Sequence, residues 1–207
     1  MMIEGIKIIT SSSIEQIFIC GVDGSGKKSV AALLFPENQY CIQDISLNKN
    51  TLVLVVLDGV HQQNLAEEQL FKRIAKLQQR FNKESLRTLL ILNKTDLFAN
   101  TPPVSKRIHQ MFESYEIFCK QNKVHISGFI PLSTCAAKLC QIADRKVLNT
   151  FDSLNIRILL RQIGRSFPEQ ITDETLLQYV ISHKKQLETL SGKLPLEKFI
   201  KNWRKDI

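Results

Sequence analysis

Leu89-Leu90-Ile91-Leu92-Asn93-Lys94-Thr95-Asp96 is an apolar run that breaks into a polar turn. A short continuous run of this kind, bounded by turn residues, reads as a strand buried on both faces. The same pattern recurs to either side. Upstream, Ile14 to Cys20 leads into Gly21-Val22-Asp23-Gly24-Ser25-Gly26-Lys27, and Thr51 to Leu57 leads into Asp58. Downstream, His125 to Leu132 leads into Ser133-Thr134-Cys135-Ala136. Helical patterns separate these runs. Lys28 to Phe35 is closed by Pro36. Asn64 to Phe81 repeats Leu70, Ile74, Leu77 and Phe81. Ser105 to Gln121 carries Ile108, Met111, Phe112, Tyr115 and Phe118 on one stripe, and Asn155 to Ile163 follows as a closing helix. Strands alternating with helices predict an α/β fold with a parallel sheet covered on both faces. Ligands on such sheets bind beyond the carboxyl ends of the strands, where all three polar motifs fall.

The flanks add less regular pieces. Ile3 to Thr10 reads as an extra edge strand, hairpinned through Ser11-Ser12-Ser13, and Tyr40 to Ile45 as one remnant strand. Beyond Pro168 a helix starts at Thr172, a good N-cap followed by Asp173 and Glu174, and stops at Gly192. A second starts at Pro195 with Leu196, Phe199, Ile200 and Trp203 on one face. The expected organisation is a domain over 1–167 and a helical C-terminal extension over 168–207.

A chain of 207 residues with 43% hydrophobic and 23% charged residues is an ordinary globular composition, able to bury a core without disulfides or metals. No window of about 18 apolar residues predicts a membrane span. The start Met1-Met2-Ile3-Glu4 has neither signal-peptide character nor a Gly for myristoylation, and the end Arg204-Lys205-Asp206-Ile207 carries no prenylation box. Cys20, Cys41, Cys119, Cys135 and Cys140 are odd in number and form no C-x-x-C pair, which predicts free thiols in a reducing, intracellular (cytoplasmic) compartment. The net charge of +8 favours acidic partners. Its densest stretches, His183-Lys184-Lys185 and Lys198 to Lys205, lack the interleaved aromatics of a nucleic-acid motif. The four histidines show no metal spacing, and no Ser/His/Asp or Cys/His constellation marks a catalytic site.

Gly21, Gly26 and Lys27 satisfy the G-x-x-x-x-G-K phosphate loop, with Asp23, Gly24 and Ser25 between them. Glycines let backbone N–H groups approach phosphates closely, and the following helix end adds a favourable dipole. The next residue of that pattern supplies a hydroxyl to Mg²⁺. Here it is Lys28, and Ser29 comes one place late, about 100° round the helix. A second cation beside the phosphates can offset their charge in place of the metal. After the third strand, the Asp96 carboxylate can accept the N1–H and exocyclic amine of guanine, a bidentate contact adenine cannot make. Asn93 is placed to tie the base to the phosphate loop, and the Lys94 stem to cover the ring. Backbone N–H groups of Thr134, Cys135 and Ala136 are candidates for guanine O6.

GVDGSGK at 21–27, LDGVHQQNLAEEQLFKRI at 57–74, NKTDLF at 93–98 and STCA at 133–136 together resemble the Ras-like small GTPases, most closely the Arf and Gα branches, over residues 14–164. Those branches share the loop aspartate matched by Asp23 and the T-C-A loop matched by Thr134 to Ala136. The resemblance implies a P-loop fold and GTP or GDP as ligand. The stretches at 93–108 and 196–205 also resemble the β-subunit of the signal recognition particle receptor. One departure dominates. Matching Leu57-Asp58 to the family's fourth strand places Asp58 only 31 residues after Lys27, about half the distance the family uses for its two switches and two strands. The switch I threonine, the D-x-x-G turn and the catalytic glutamine have no clear counterparts. An alternative alignment takes Asp58 as the switch II aspartate and Gln62 as the catalytic residue, but it needs Gly where His61 stands and leaves no strand before Thr88. The expectation is a shortened, degenerate GTPase (a pseudo-GTPase) that serves as a guanine-nucleotide-binding or scaffolding subunit of a protein complex; some switchless relatives of small GTPases, centromere protein M among them, are built into larger assemblies. The alternative is a working Arf-like GTPase of membrane traffic or a receptor subunit of the kind named above.

Overall fold

The computed structural model describes residues 3–9, 16–37, 42–45, 50–60, 64–81, 86–95, 104–148, 156–161, 163, 165, 168 and 170–206. Its strands are β1 (Ile3–Ile9), β2 (Gln16–Gly21), β3 (Ile42–Ile45), β4 (Thr51–Asp58), β5 (Leu86–Asn93) and β6 (Gly128–Pro131). Its helices are α1 (Lys27–Leu34), α2 (Leu65–Arg80), α3 (Val104–Gln121), α4 (Thr134–Arg145), a short α5 (156–161), α6 (Asp173–Ser182), α7 (Lys184–Ser191) and α8 (Lys193–Lys205).

β4 is buried along its whole length, because it runs between two parallel neighbours in a sheet covered on both sides. The strand order is β3-β1-β2-β4-β5-β6. β2, β4, β5 and β6 are parallel, and β1 runs antiparallel to both β2 and β3. The period of two along each strand splits the core cleanly. Phe18, Cys20, Val53, Val55, Leu57, Leu90 and Leu92 face α2 and α3, meeting Phe71, Ile74, Met111 and Tyr115. Ile17, Ile19, Leu52, Leu54, Val56, Leu89 and Ile91 face α1 and α8, meeting Val30, Ala31, Leu196, Ile200 and Trp203. A third cluster joins α4, α5, α6 and α7 through Leu139, Ile142, Ile156, Leu160, Leu176 and Val180.

Buried polar groups lock the first face. The Gln78 amide donates to Thr88 Oγ1 at 2.9 Å and to the His125 carbonyl at 2.7 Å, and its oxygen accepts the His125 N–H at 2.8 Å. The Tyr115 hydroxyl lies 3.0 and 3.2 Å from the two oxygens of Glu67, a carboxylate with no solvent exposure.

Four expectations need correction. The N-terminal strand is not the edge, because β3 pairs along its outer side. The helix at 156–161 does not close the sheet; it packs in the third cluster, and α8 covers the sheet instead. The run from Thr172 to Gly192 is two helices, broken at His183, whose ring stacks on Tyr179 at 4.0 Å. α8 starts at Lys193 rather than Pro195, since a proline in the first turn loses no helical hydrogen bond. Gly192, at φ +66°, serves both as the stop of α7 and the start of α8. A Cβ there would stand 2.0 Å from the Pro131 carbonyl. Ser11 to Ser13, expected as a hairpin turn, and Tyr40 and Cys41, expected as the start of the remnant strand, lie outside the described residues.

Cys20, Cys119, Cys135 and Cys140 are free thiols. Burial pushes the Cys20 and Cys119 thiols up to about 12, and that of Cys140 to about 11. Among the described residues no helix is long and apolar enough to cross a membrane.

Two outcomes follow. Trp203→Ala, at a site only 3% exposed, should cost about 3–5 kcal/mol in urea denaturation, the usual price of deleting a core aromatic; a surface-like loss under 1 kcal/mol would detach α8 from the core. The native protein at about pH 8 should leave Cys20 and Cys119 unalkylated by iodoacetamide. Because their folded values lie above the ordinary 9.0, their stabilisation is complete below about pH 9 and should fade as pH rises toward about 12, where unfolded thiols ionise first.

Candidate functional site

Because β2, β4, β5 and β6 are parallel, their carboxyl ends gather at one edge of the sheet. The loop Gly21 to Gly26 leaves β2 there and delivers Lys27 to the first turn of α1. The loop is held by tight contacts rather than by side-chain bulk. Ser25 N–H donates to the Val22 carbonyl at 3.2 Å, and a Cβ on Gly21 would meet the Val56 carbonyl at 2.3 Å. Gly26, at φ +92°, has the left-handed backbone that favours glycine. A Cβ there would also lie 2.2 Å from Asn93 Nδ2, so glycine is required twice over.

That contact is the bridge between two motifs. Asn93 Nδ2 donates to the Ser25 carbonyl at 2.9 Å, tying the end of β5 to the loop after β2 across 68 residues of sequence. The expected link between Asn93 and the loop is present. Asn93 Oδ1 and Ser25 Oγ are buried and have no hydrogen-bond partner among the described residues, which an interior normally avoids.

Lys27 is 8% exposed. Its ammonium donates to the Gly21 carbonyl at 2.8 Å and the Val22 carbonyl at 3.1 Å, and lies 3.4 Å from Asp23 Oδ1. Lys28 is exposed on the first turn of α1, and Ser29 is half-buried. A Cβ on Gly24 would meet nothing within 4 Å, so the crown of the loop is open.

Lys94, in left-handed backbone at φ +63°, directs its ammonium to Asp58 Oδ2 at 2.7 Å. Asp58 Oδ1 accepts the Val60 N–H at 2.9 Å, and the Gly59 N–H reaches the Asn93 carbonyl at 3.0 Å. The ends of β4 and β5 are thereby clamped by a charge pair that spacing could not reveal. Asp96, the expected base-reading carboxylate, lies outside the described residues, as do His61 and Gln62.

The stretch Thr134 to Ala136 is the first turn of α4 rather than a loop. Ser133 is its N-cap, and its Oγ accepts the Ala136 N–H at 3.0 Å. One of the amides expected to face guanine O6 is therefore used within the chain. Ser133 N–H donates to the Ser191 carbonyl at 3.0 Å, so the turn between α7 and α8 abuts this corner. The Ser133 cap followed by Leu139, Ile142 and Ala143 at helical spacing is the sequence sign of this helix.

Beside the loop, on the α2 side, lies a cleft of about 370 Å³ lined by Gly21, Val22, Asp23, Lys27 and the first turns of α2. Among the described residues no group of three His, Cys, Asp or Glu side chains could hold a metal.

Fold and site together define an α/β protein whose glycine-rich loop and polar strand ends converge at one sheet edge. No family model and no curated protein sequence matches the chain.

Asn93→Ala should destabilise the protein by about 1–2 kcal/mol, because it deletes a buried hydrogen bond and strands the Ser25 carbonyl. Gly26→Ala should cost at least as much, through both strain and collision. Chemical denaturation of each variant checks this, and a neutral Gly26→Ala would contradict the geometry.

Proposed function

We propose that this chain is a switchless small-GTPase-like protein, a pseudo-GTPase with a shortened P-loop fold that serves as a guanine-nucleotide-binding or scaffolding subunit of a protein complex. The observation that supports it most is the place of β1. The side of the loop-bearing strand β2 opposite β4 is filled by the chain's own N-terminal strand, and only 31 residues separate Lys27 from Asp58. That leaves no length for two switches that reorganise around a terminal phosphate, the usual order–disorder device of such proteins.

GTP or GDP fits the donor set. Lys27 and the loop stand where phosphates would lie, and Asn93 Oδ1, an acceptor with no partner among the described residues, is left for a donor of the base or sugar. Mg²⁺ fits less well, since Lys28 occupies the position of its hydroxyl ligand and Asp23, the one carboxylate among the described residues of the adjoining cleft, lies against Lys27. Thr134, Cys135 and Asp96 complete the expected guanine contacts. Partners are expected to be acidic proteins, given the net charge of +8 and Lys198, Lys201, Arg204 and Lys205 on α8.

Calorimetric titration of wild type and Asp96→Ala with GDP and ADP tests the ligand. GDP should be favoured by about 2–4 kcal/mol in the wild type, and the preference should vanish in the variant. Single-turnover GTP hydrolysis should be negligible and unchanged when Mg²⁺ replaces EDTA. Complexes should assemble equally with GDP, GTP or neither. A Mg²⁺-dependent turnover with GTP-dependent assembly would instead identify an active Arf-like GTPase.

A further inference from the structure

We propose that Arg73 is a phosphate ligand supplied in cis, so that the cleft beside the glycine-rich loop receives the terminal phosphate of a nucleoside triphosphate without a metal ion. The inference rests on the nucleotide-site part of the function proposed above and adds a residue that no motif marks. α2 leaves the carboxyl end of β4, which brings its first turns beside the loop. Ala66, Gln69, Leu70 and Arg73, at i, i+3, i+4 and i+7, form the helix stripe lining the cleft opposite Gly21, Val22, Asp23 and Lys27. At about 370 Å³ the cleft is large enough for a phosphate group and its water.

The charges decide what it can hold. Among the described residues Asp23 is the one carboxylate in the lining, and it stands 3.4 Å from the Lys27 ammonium. Arg73 then adds a further positive charge. Its helix neighbour Lys72 is ion-paired with Glu68 on the solvent side. Arg73 itself has no ion pair or hydrogen bond among the described residues. A triphosphate brings more negative charge than Lys27 alone can offset, and Lys28 stands where the metal's hydroxyl ligand is expected. An arginine fork can chelate two phosphate oxygens at once, which a lysine cannot. From the third turn of a helix bordering the loop, such a fork would read the outermost phosphate rather than the base.

The test is binding in EDTA by the full chain, with GTPγS, GDP and inorganic tripolyphosphate as probes, for wild type, Arg73→Gln and Arg73→Lys. Arg73 is exposed, so the variants should keep the wild-type melting temperature. The expected result is that Arg73→Gln weakens GTPγS and tripolyphosphate by about tenfold or more, GDP by less than about twofold, with Arg73→Lys between. Equal GTPγS affinity in wild type and Arg73→Gln, with GDP still bound, would overturn the role of Arg73 and leave the nucleotide site standing. Arg73-dependent tripolyphosphate binding without any GDP binding would uphold it and remove the guanine assignment. No binding of any probe would overturn both.

Discussion

The ladder between β1 and β2 is the pairing on which the rest depends. β2 carries the glycine-rich loop, and its inner side is satisfied by β4 from Gln16 to Gly21. Its other side would present a row of unpaired amides and carbonyls, which natural proteins rarely leave open. Gly5 to Ile9 pair there with Cys20 to Gln16. The antiparallel direction brings Gly5 beside Cys20, so the chain enters the sheet at the same end as the site. Ile6 and Ile8 then extend the apolar face that α1 and α8 cover. With both sides of β2 held, the loop springs from a fixed base.

The strand ends are cross-tied from one to the next. Asn93 holds the loop to β5, the Lys94–Asp58 pair holds β5 to β4, and the Thr95 N–H reaches the Leu132 carbonyl at 3.3 Å to hold β5 to β6. Neutral ties of this kind contribute about 0.5–1.5 kcal/mol each, and those to charged groups about 1.5–3. Asp58 is 3% exposed, so its partner matters more than a surface ion pair would. Such a corner suits a binding surface of constant shape better than one that must open and close.

The strands were legible because each is a short apolar run that stops at a polar motif, and the period of two assigns their faces. The three helices between them announced themselves through repeating apolar residues. The placement of elements was harder. Nothing local distinguishes Ile156 and Leu160, which pack in the cluster with α4, α6 and α7, from Leu196 and Ile200, which pack on the sheet; both sets have helical spacing. Family resemblance pulled Thr134 to Ala136 toward a loop, although the Ser133 cap and the residues after it specify a helix. At the site, the Asn93 link followed from motif chemistry, while the Lys94–Asp58 pair joins residues 36 apart in sequence that must fold back on each other. Arg73 belongs to no motif; only the seating of α2 beside the loop singles it out.

The two faces of the sheet are completed at different moments of synthesis. α2 and α3 precede α8 in the chain, so their face can close while the chain is still emerging. The opposite face needs Leu196, Ile200 and Trp203 of α8, which leave the ribosome well after α2 and α3. Until then Ile17, Leu52, Leu54 and Ile91 stay partly uncovered on a sheet that is otherwise formed, a condition that invites association with other nascent chains. A nonsense mutation or proteolytic cut just before Leu196 would therefore leave an aggregation-prone product, because it removes the cover of a formed sheet.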